Sequence, residues 1–239
     1  MTLAEVLNSL FPTGHDTTVK DGLLFGTGPL RDGDMAHVLG VVDNTALGVE
    51  GALALAGRVL EIAAGPDRDP ILMVIDSSSQ RMSRRDELLG LNEYLAHLAK
   101  ALMLAEAGGH RTIGLLYGGS AAGAFIATAL STGALAALPG ATPAVMDLPS
   151  MARVTKLPLE VLQAKAKATP VFAPGLENLA KTGAVHQTWD PAGSLADQLA
   201  ALLAVPPGED VRDRLGRERG GRPKAAEIAA RVIEEAGRV

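Results

Sequence analysis

The chain has 239 residues, 47% of them hydrophobic and 21% charged, with a formal net charge of -5. This fits one large domain with a sizeable core, and the mixed charge excludes a chain built to bind polyanions, so no nucleic acid partner is expected. Cysteine is absent, which excludes disulfides, thiol nucleophiles and thiolate metal sites, and His15, His37, His97, His110 and His186 lack zinc-site spacing, so no metal is expected.

In chain order, Leu3 to Leu10 reads as a short amphipathic helix. The stretch LLFGTGPLRDGDMAHVLGVVDN reads as a hairpin whose second strand ends at Val42. Val49 to Ala64 has helical length and is stopped by GPDRDP; PILMVIDS is a buried strand bounded by the polar SSSQ. SRRDELLGLNEYLAHLAKALMLAEAGG reads as one long helix, with a capping pattern at Ser83 and Asp86 and a stop at Gly108 and Gly109. The strand RTIGLLYG follows, then a helix from about Ala121, then two short strands in GALAALPGATPAVMDLP.

Beyond Pro149 the pattern turns helical, in SMARVTKLPLEVLQAKAKA, GLENLAKTG and SLADQLAALLA. VPPGEDVRDRLGRERGGRPK reads as an exposed linker and AAEIAARVIEEAGRV as a terminal helix. The chain thus divides into a domain over 1–205 and an appendage over 206–239. Alternation of strands and helices predicts an α/β fold. No apolar run reaches the roughly 18 residues of a membrane span and the start lacks a signal-peptide pattern, so a cytoplasmic protein without membrane contact is expected.

Two strand-to-helix junctions hold the chemistry. In LLYGGSAAGAFIATAL an apolar strand passes through Gly118, Gly119, Ala121, Ala122, Gly123 and Ala124 into a helix. Helix starts leave backbone N–H groups without partners and carry partial positive charge. Small side chains let a substrate approach them, and such N–H groups can hold the oxygen of a thioester as it becomes an enolate. The bland account is close packing of the helix on the sheet. The second junction, LGVVDNTALGVEGALALAG, promises further free N–H groups in a polar turn over Asn44, Thr45, Ala46, Leu47 and Gly48; an ordinary turn or cap at Asp43 and Asn44 is the bland account. GTGPLR lacks the third glycine of a dinucleotide fingerprint, and no phosphate-loop Lys-Ser/Thr pair follows any glycine turn. GGSAA is one substitution from G-x-S-x-G, and Asp147 and His186 follow Ser120 in a hydrolase order, which makes a serine hydrolase the nearest rival by motif.

GVVDNTALGVEGALALAGRVLE, SQRMSRRDELLGLNEYLAHLAK, MDLPSMARVTKLPLEVL and PVFAPGLENLAKTGAV together resemble the gamma subunit of malonate decarboxylase, a family similar to the alpha half of the acetyl-CoA carboxylase carboxyltransferase. The resemblance runs from about Gly33 to Leu203. It implies a crotonase-like spiral of strand-strand-helix units with a helical carboxyl-terminal region, paired with a homologous beta subunit. The pair would decarboxylate a malonyl thioester carried on the phosphopantetheine-type arm of an acyl carrier protein, and an acyl carrier transferase subunit would exchange acetyl for malonyl. No cofactor bound by this chain, and no biotin, is implied.

Carried over residue by residue, the resemblance makes Gly118, Gly119, Gly123 and Ala124 backbone donors or close-approach positions. Gly119 stands where the family usually has glutamine, and AAGAF keeps only Gly123 of a glycine pair. Asn44 to Gly48 form the second turn, and Gln80 and Arg81 line the same cavity unless they belong to a solvated loop. Arg153 and Lys156 meet the carrier or its phosphate arm, or else lie on a solvated helix face. Tyr117 is a donor to substrate or a core residue. Two alternatives stand beside the decarboxylase: a biotin-dependent carboxyltransferase subunit, and a non-catalytic partner whose small-residue turns only pack.

Overall fold

A computed structural model describes residues 1–206 and 210–237. Helix α1 (Leu3–Leu10) forms where the sequence places it. Thr2 caps it, with the Thr2 hydroxyl accepting from Glu5 N–H at 3.3 Å and the Glu5 carboxylate from Thr2 N–H at 2.7 Å. Strand β1 (Asp16–Lys20), which the sequence pattern missed, pairs antiparallel with β2 (Leu23–Pro29), and β2 pairs antiparallel with β3 (Met35–Leu47) as the expected hairpin.

Beyond β3 the chain alternates strand and helix: α2 (Val49–Ala63), β4 (Ile71–Gln80), α3 (Arg84–Leu88), α4 (Leu91–Ala107), β5 (Thr112–Leu116), β6 (Gly119–Ala121), α5 (Ala122–Thr128), β7 (Ala134–Ala137) and β8 (Thr142–Ala144). β3, β4, β5 and β7 are mutually parallel, and β9 (Gln187–Thr188) closes a seven-stranded sheet in the order β1-β2-β3-β4-β5-β7-β9. β6 and β8 form a separate parallel pair.

Both faces of the sheet are covered, as its nearly unbroken apolar strands require. Leu39, Val41, Met73 and Ile75 point to a core shared with α2, α4 and α5, where Leu55, Val59, Leu98 and Phe125 are buried. Residues of opposite parity, Val38, Leu72, Val74 and Leu115, meet α1 and α9 (Leu195–Ala204), with Trp189 and Leu199.

Three local expectations change. The long helix divides into α3 and α4 at Gly90, whose φ of 81° breaks the helical path. The helical segment begins earlier, at Leu148 with Pro149 in the first turn, and contains α6 (Leu148–Thr155), α7 (Leu159–Ala168) and α8 (Leu176–Lys181); α6 stops where Lys156 adopts a left-handed conformation, just before Pro158.

The stretch read as an exposed linker carries α10 (Arg212–Glu218), docked on the domain. The Arg212 guanidinium donates to Leu130 O at 2.8 Å, the Arg219 guanidinium donates to the carbonyls of Ala180, Val185 and His186, and Gly216 is buried. Helix α11 (Ala225–Ala236) matches the expected terminal helix; linker residues 207–209 and the last two residues of that helix reading lie outside the described residues. No described helix is long and apolar enough to cross a membrane.

Candidate active site

The candidate site lies at the carboxyl ends of β3, β4 and β5. Its first surprise is strand length. Asn44 to Leu47 are not a turn: β3 passes through Asp43 (φ 58°) and Asn44 (φ 51°) as an irregularity and resumes pairing, Thr45 with Ser77 and Leu47 with Gln80. β4 likewise runs through SSSQ to Gln80.

These extensions bring Asp76 between the two junctions. One carboxylate oxygen accepts Gly119 N–H at 2.9 Å and the other accepts Asn44 N–H at 3.1 Å. A Cβ on Gly118 would lie 2.1 Å from the first of those oxygens, so only glycine fits there. Asp76 thus ties the ends of β3 and β5 together from the strand between them.

The neighbouring donors are also taken by the chain's own acceptors. Gly123 N–H donates to Gln80 Oε1 at 2.7 Å, and a Cβ on Gly123 would meet Leu95 at 2.8 Å. Val49 N–H, in the first turn of α2, faces Asp86 at 3.4 Å. That Asp86 side chain is buried, and the Ser83 hydroxyl, then Val49 N–H, Arg81 and Arg85, hold its pKa low against the cost of burial. Arg81 packs over Gly48, donates its own N–H to Leu47 O at 2.8 Å and lies 3.5 Å from Glu50. Ser77 and Ser120 hydroxyls pair in the buried floor at 3.0 Å. Ala122 opens α5 with φ 52°, a conformation that non-glycine residues seldom adopt outside constrained turns.

Gly118, Gly119, Gln80, Gly123, Ala124 and Asn44 therefore gather at the strand ends, with Ala124 buried in the first turn of α5. Thr45, Ala46, Leu47, Gly48 and Arg81 border a cleft of about 400 Å³ against Phe25 of β2; the Leu47 side chain itself belongs to the core, at 1% exposure. A larger concavity, about 800 Å³, lies elsewhere, between α10 and α11.

Tyr117 is half buried among the second core; burial, then Asp76, push its phenol above the usual tyrosine range. Arg153 and Lys156 sit on the exposed end of α6, where the Arg153 guanidinium donates to the Ser150 hydroxyl at 2.9 Å. The sequence does not single out Asp76, Ser77 or Asp86 as members of this site, and it offers Ser120 only as a hydrolase nucleophile. Only the polarity of Asp76 and Ser77 at the end of an apolar strand hinted at a role.

Ser120, Asp147 and His186 form no triad. Ser120 is buried on Ser77, Asp147 caps α6 by accepting Ser150 N–H, and His186 Nδ1 accepts Leu135 N–H at 3.1 Å.

The malonate decarboxylase gamma subunit family matches this chain over residues 42–236. The chain belongs to that family. Among solved structures it is similar to a chain of a Pseudomonas malonate decarboxylase hetero-tetramer in complex with coenzyme A, at 28% identity and a TM-score of 0.77, covering 98% of this chain and 97% of that one. It is similar at the same identity to a chain of the Pseudomonas MdcD-MdcE hetero-dimer, with a TM-score of 0.74 over 97% of this chain and 98% of that one.

Among curated proteins it is 24% identical to the malonyl-S-ACP:biotin-protein carboxyltransferase MADD of Malonomonas rubra, over 92% of this chain and 86% of that protein. Transcarboxylase 12S, at 17% identity and a TM-score of 0.70 over 86% of this chain and 42% of that one, shares the fold. The gamma-subunit chain is an α/β protein of the crotonase-like class.

Proposed function

We propose that this chain, with a homologous beta subunit, decarboxylates malonyl-S-acyl-carrier-protein to the acetyl thioester and carbon dioxide. The observation that carries the reading is the meeting of three strand ends on a surface of glycines and alanines, in a chain of the malonate decarboxylase gamma family.

The bond between C2 and the carboxylate breaks, its electron pair moves onto the thioester as an enolate, and a proton returns to C2. Charge develops on the thioester oxygen, where fixed N–H donors each lower the barrier by about 3 to 4 kcal/mol. Gly119 and Gly123 N–H are engaged by Asp76 and Gln80. The roles that remain for them are close approach and rigid spacing, with Gly118 N–H as the donor this chain brings to the shared site and the buried Ala124 keeping the first turn of α5 small beneath it. Asn44 to Gly48, with Gln80 and Arg81, border the path of the substrate arm. Arg153 and Lys156 face the acidic carrier from the end of α6.

The phosphopantetheine-type arm belongs to the carrier and enters as substrate; this chain needs no cofactor of its own. A transferase subunit exchanging acetyl for malonyl completes the set of partners, and the complex works in the cytoplasm. Residues 1–205 form the catalytic domain, with the carboxyl-terminal segment as its appendage.

A second reading follows from the Malonomonas rubra relative, whose name specifies carboxyl transfer to a biotin protein. The same wall would then receive a carboxyl acceptor. Carbon dioxide release from malonyl-S-carrier by this chain and its beta partner, with and without avidin, separates the two. Release insensitive to avidin supports decarboxylation; release that requires biotin overturns it.

A further inference from the structure

Gln80 ends β4 between the two junctions, on backbone that is held in place. It stands opposite Leu47 of β3, its carbonyl accepts the Ser79 hydroxyl at 2.8 Å, and the next N–H, that of Arg81, donates to Leu47 O at 2.8 Å. The side chain crosses to α5, where Oε1 accepts Gly123 N–H at 2.7 Å. A backbone N–H can only donate, so the atom it meets is the amide oxygen, and the end left over is the NH2.

That NH2 has no partner. Among the described residues the Gln80 side chain makes one hydrogen bond, through its oxygen. Fully buried side-chain atoms without a partner occur, among those residues, only on His37 and His110, so Gln80 Nε2 is accessible although the residue is half-buried. Amide bond lengths keep Nε2 about 2.3 Å from Oε1, and so within about 5 Å of Gly123 N. The result is a donor on a strand end, its orientation fixed by the bond to Gly123, beside the glycines and alanines that the proposed reaction uses. An amide that accepts a hydrogen bond is polarised, which strengthens its own N–H groups as donors. Gly123 N–H, engaged within the chain, thus reinforces a neutral donor on the open side.

We propose that Gln80 is a catalytic residue whose Nε2 donates a hydrogen bond to the thioester oxygen as that oxygen gains charge, next to Gly118 N–H. The inference rests on the decarboxylase reading and adds to it a side-chain donor. Gln80 keeps its protons throughout: the electron pair freed by loss of carbon dioxide moves onto the thioester oxygen, is held there by the hydrogen bond, and returns to C2 as that carbon takes up a proton. Neutrality is what the role requires. A carboxylate in place of this amide would still accept Gly123 N–H, but it would have no hydrogen to donate and would repel the enolate.

The test is carbon dioxide release from malonyl-S-carrier, in the presence of avidin, by the full-length chain co-purified with its beta partner, followed from about pH 5.5 to pH 8. Wild type is compared with Gln80→Glu, which keeps the acceptor for Gly123 and loses the donor, and with Gln80→Met, which loses both. At pH 8 both variants should lose about 10²- to 10³-fold in kcat, with KM changed no more than a few fold. The rate of Gln80→Glu relative to wild type should climb about tenfold per pH unit as the pH falls, because the protonated carboxyl again offers a hydrogen, while Gln80→Met stays flat. Should Gln80→Met fail to assemble, the acid recovery of the equally sized Gln80→Glu decides alone. A Gln80→Glu chain as active as wild type at every pH would leave Gln80 only the task of holding Gly123, and a raised KM with unchanged kcat would leave it only lining the arm's path; either overturns the proposal. Wild-type release abolished by avidin would overturn the decarboxylase reading and this inference with it, whereas avidin-insensitive wild type with unaffected variants overturns the inference alone.

Discussion

The two junctions that lead into α2 and α5 look alike in sequence and are built differently. Before α2, the helix start is closed by the buried Asp86 carboxylate, and Arg81, Arg85 and Glu50 form a charged lattice around it. Before α5, the first turn is met by a neutral amide, Gln80, and its surface is glycine and alanine. A helix start saturated with charge is scaffold. One left neutral and bare can accept developing negative charge without repelling it, so the proposed function assigns the chemistry to the α5 junction and a stabilising role to the α2 junction.

Substitution at the α5 junction gives the largest expected effect. Gly118→Val drives a side chain into Asp76 Oδ1, from which even a Cβ would be only 2.1 Å away, and displaces the tie to Gly119 and Asn44. Carbon dioxide release should fall about 10²- to 10³-fold, the scale of losing a fixed oxyanion donor, with circular dichroism unchanged. Asp86→Ala, at the other junction, should do the reverse: the chemical denaturation midpoint falls, while turnover per folded complex stays within a few fold. A loss of turnover without a loss of stability in Asp86→Ala would erase the distinction.

Gly123→Ala sharpens the comparison from inside α5. Its methyl would meet Leu95 at 2.8 Å and Gln80 Oε1 at 3.2 Å, the former a flexible side-chain tip that can give way. Steady-state kinetics should show kcat reduced about tenfold to a hundredfold through misplacement of the turn, with melting little changed.

His186 lies in neither junction and serves as a control. Burial, then Arg212 and Arg219, hold its pKa below the usual imidazole value, with Asp210 opposing, and its Nδ1 must stay unprotonated to accept Leu135 N–H. The unfolded chain, with a histidine pKa of about 6.5, therefore binds more protons than the folded one just below that pH. Stability from this group is complete above about pH 6.5 and is lost as pH falls toward the lower folded value. Denaturation followed across pH 5 to 8 should show that slope in wild type and a flatter one in His186→Gln.

The smallest effect is expected from Arg153→Glu/Lys156→Glu. On the exposed end of α6, this change should raise KM for the carrier substrate a few fold at low salt and leave kcat alone.

Much of this fold was legible because its signals are local. The capping box at Thr2 and Glu5, the hairpin entering β3 and the apolar runs of β4 and β5 each carry their own pattern. What escaped depended on partners distant in sequence. Asp43, Asn44 and the SSSQ segment read as turn residues, and they remain strand because β3 and β4 pair past their apolar stretches. Asp76 offers only its polarity at a strand end as a signal, since the N–H groups it accepts are 32 and 43 residues away. The Arg-rich stretch around α10 reads as solvated linker by composition, yet Arg212 and Arg219 are fixed on carbonyls of Leu130 and of Ala180 to His186. At the site, small residues showed where a substrate can approach, but not which of their N–H groups the protein already uses.

The most direct test of the central claim is single-turnover release of labelled carbon dioxide from malonyl-S-carrier by the beta partner with wild-type, Gly118→Val or Asp86→Ala chain, each with and without avidin. The account predicts avidin-insensitive release by wild type, near-complete loss in Gly118→Val and retention in folded Asp86→Ala. Full release with Gly118→Val would contradict it, leaving the α5 junction as packing and the chemistry wholly in the beta subunit.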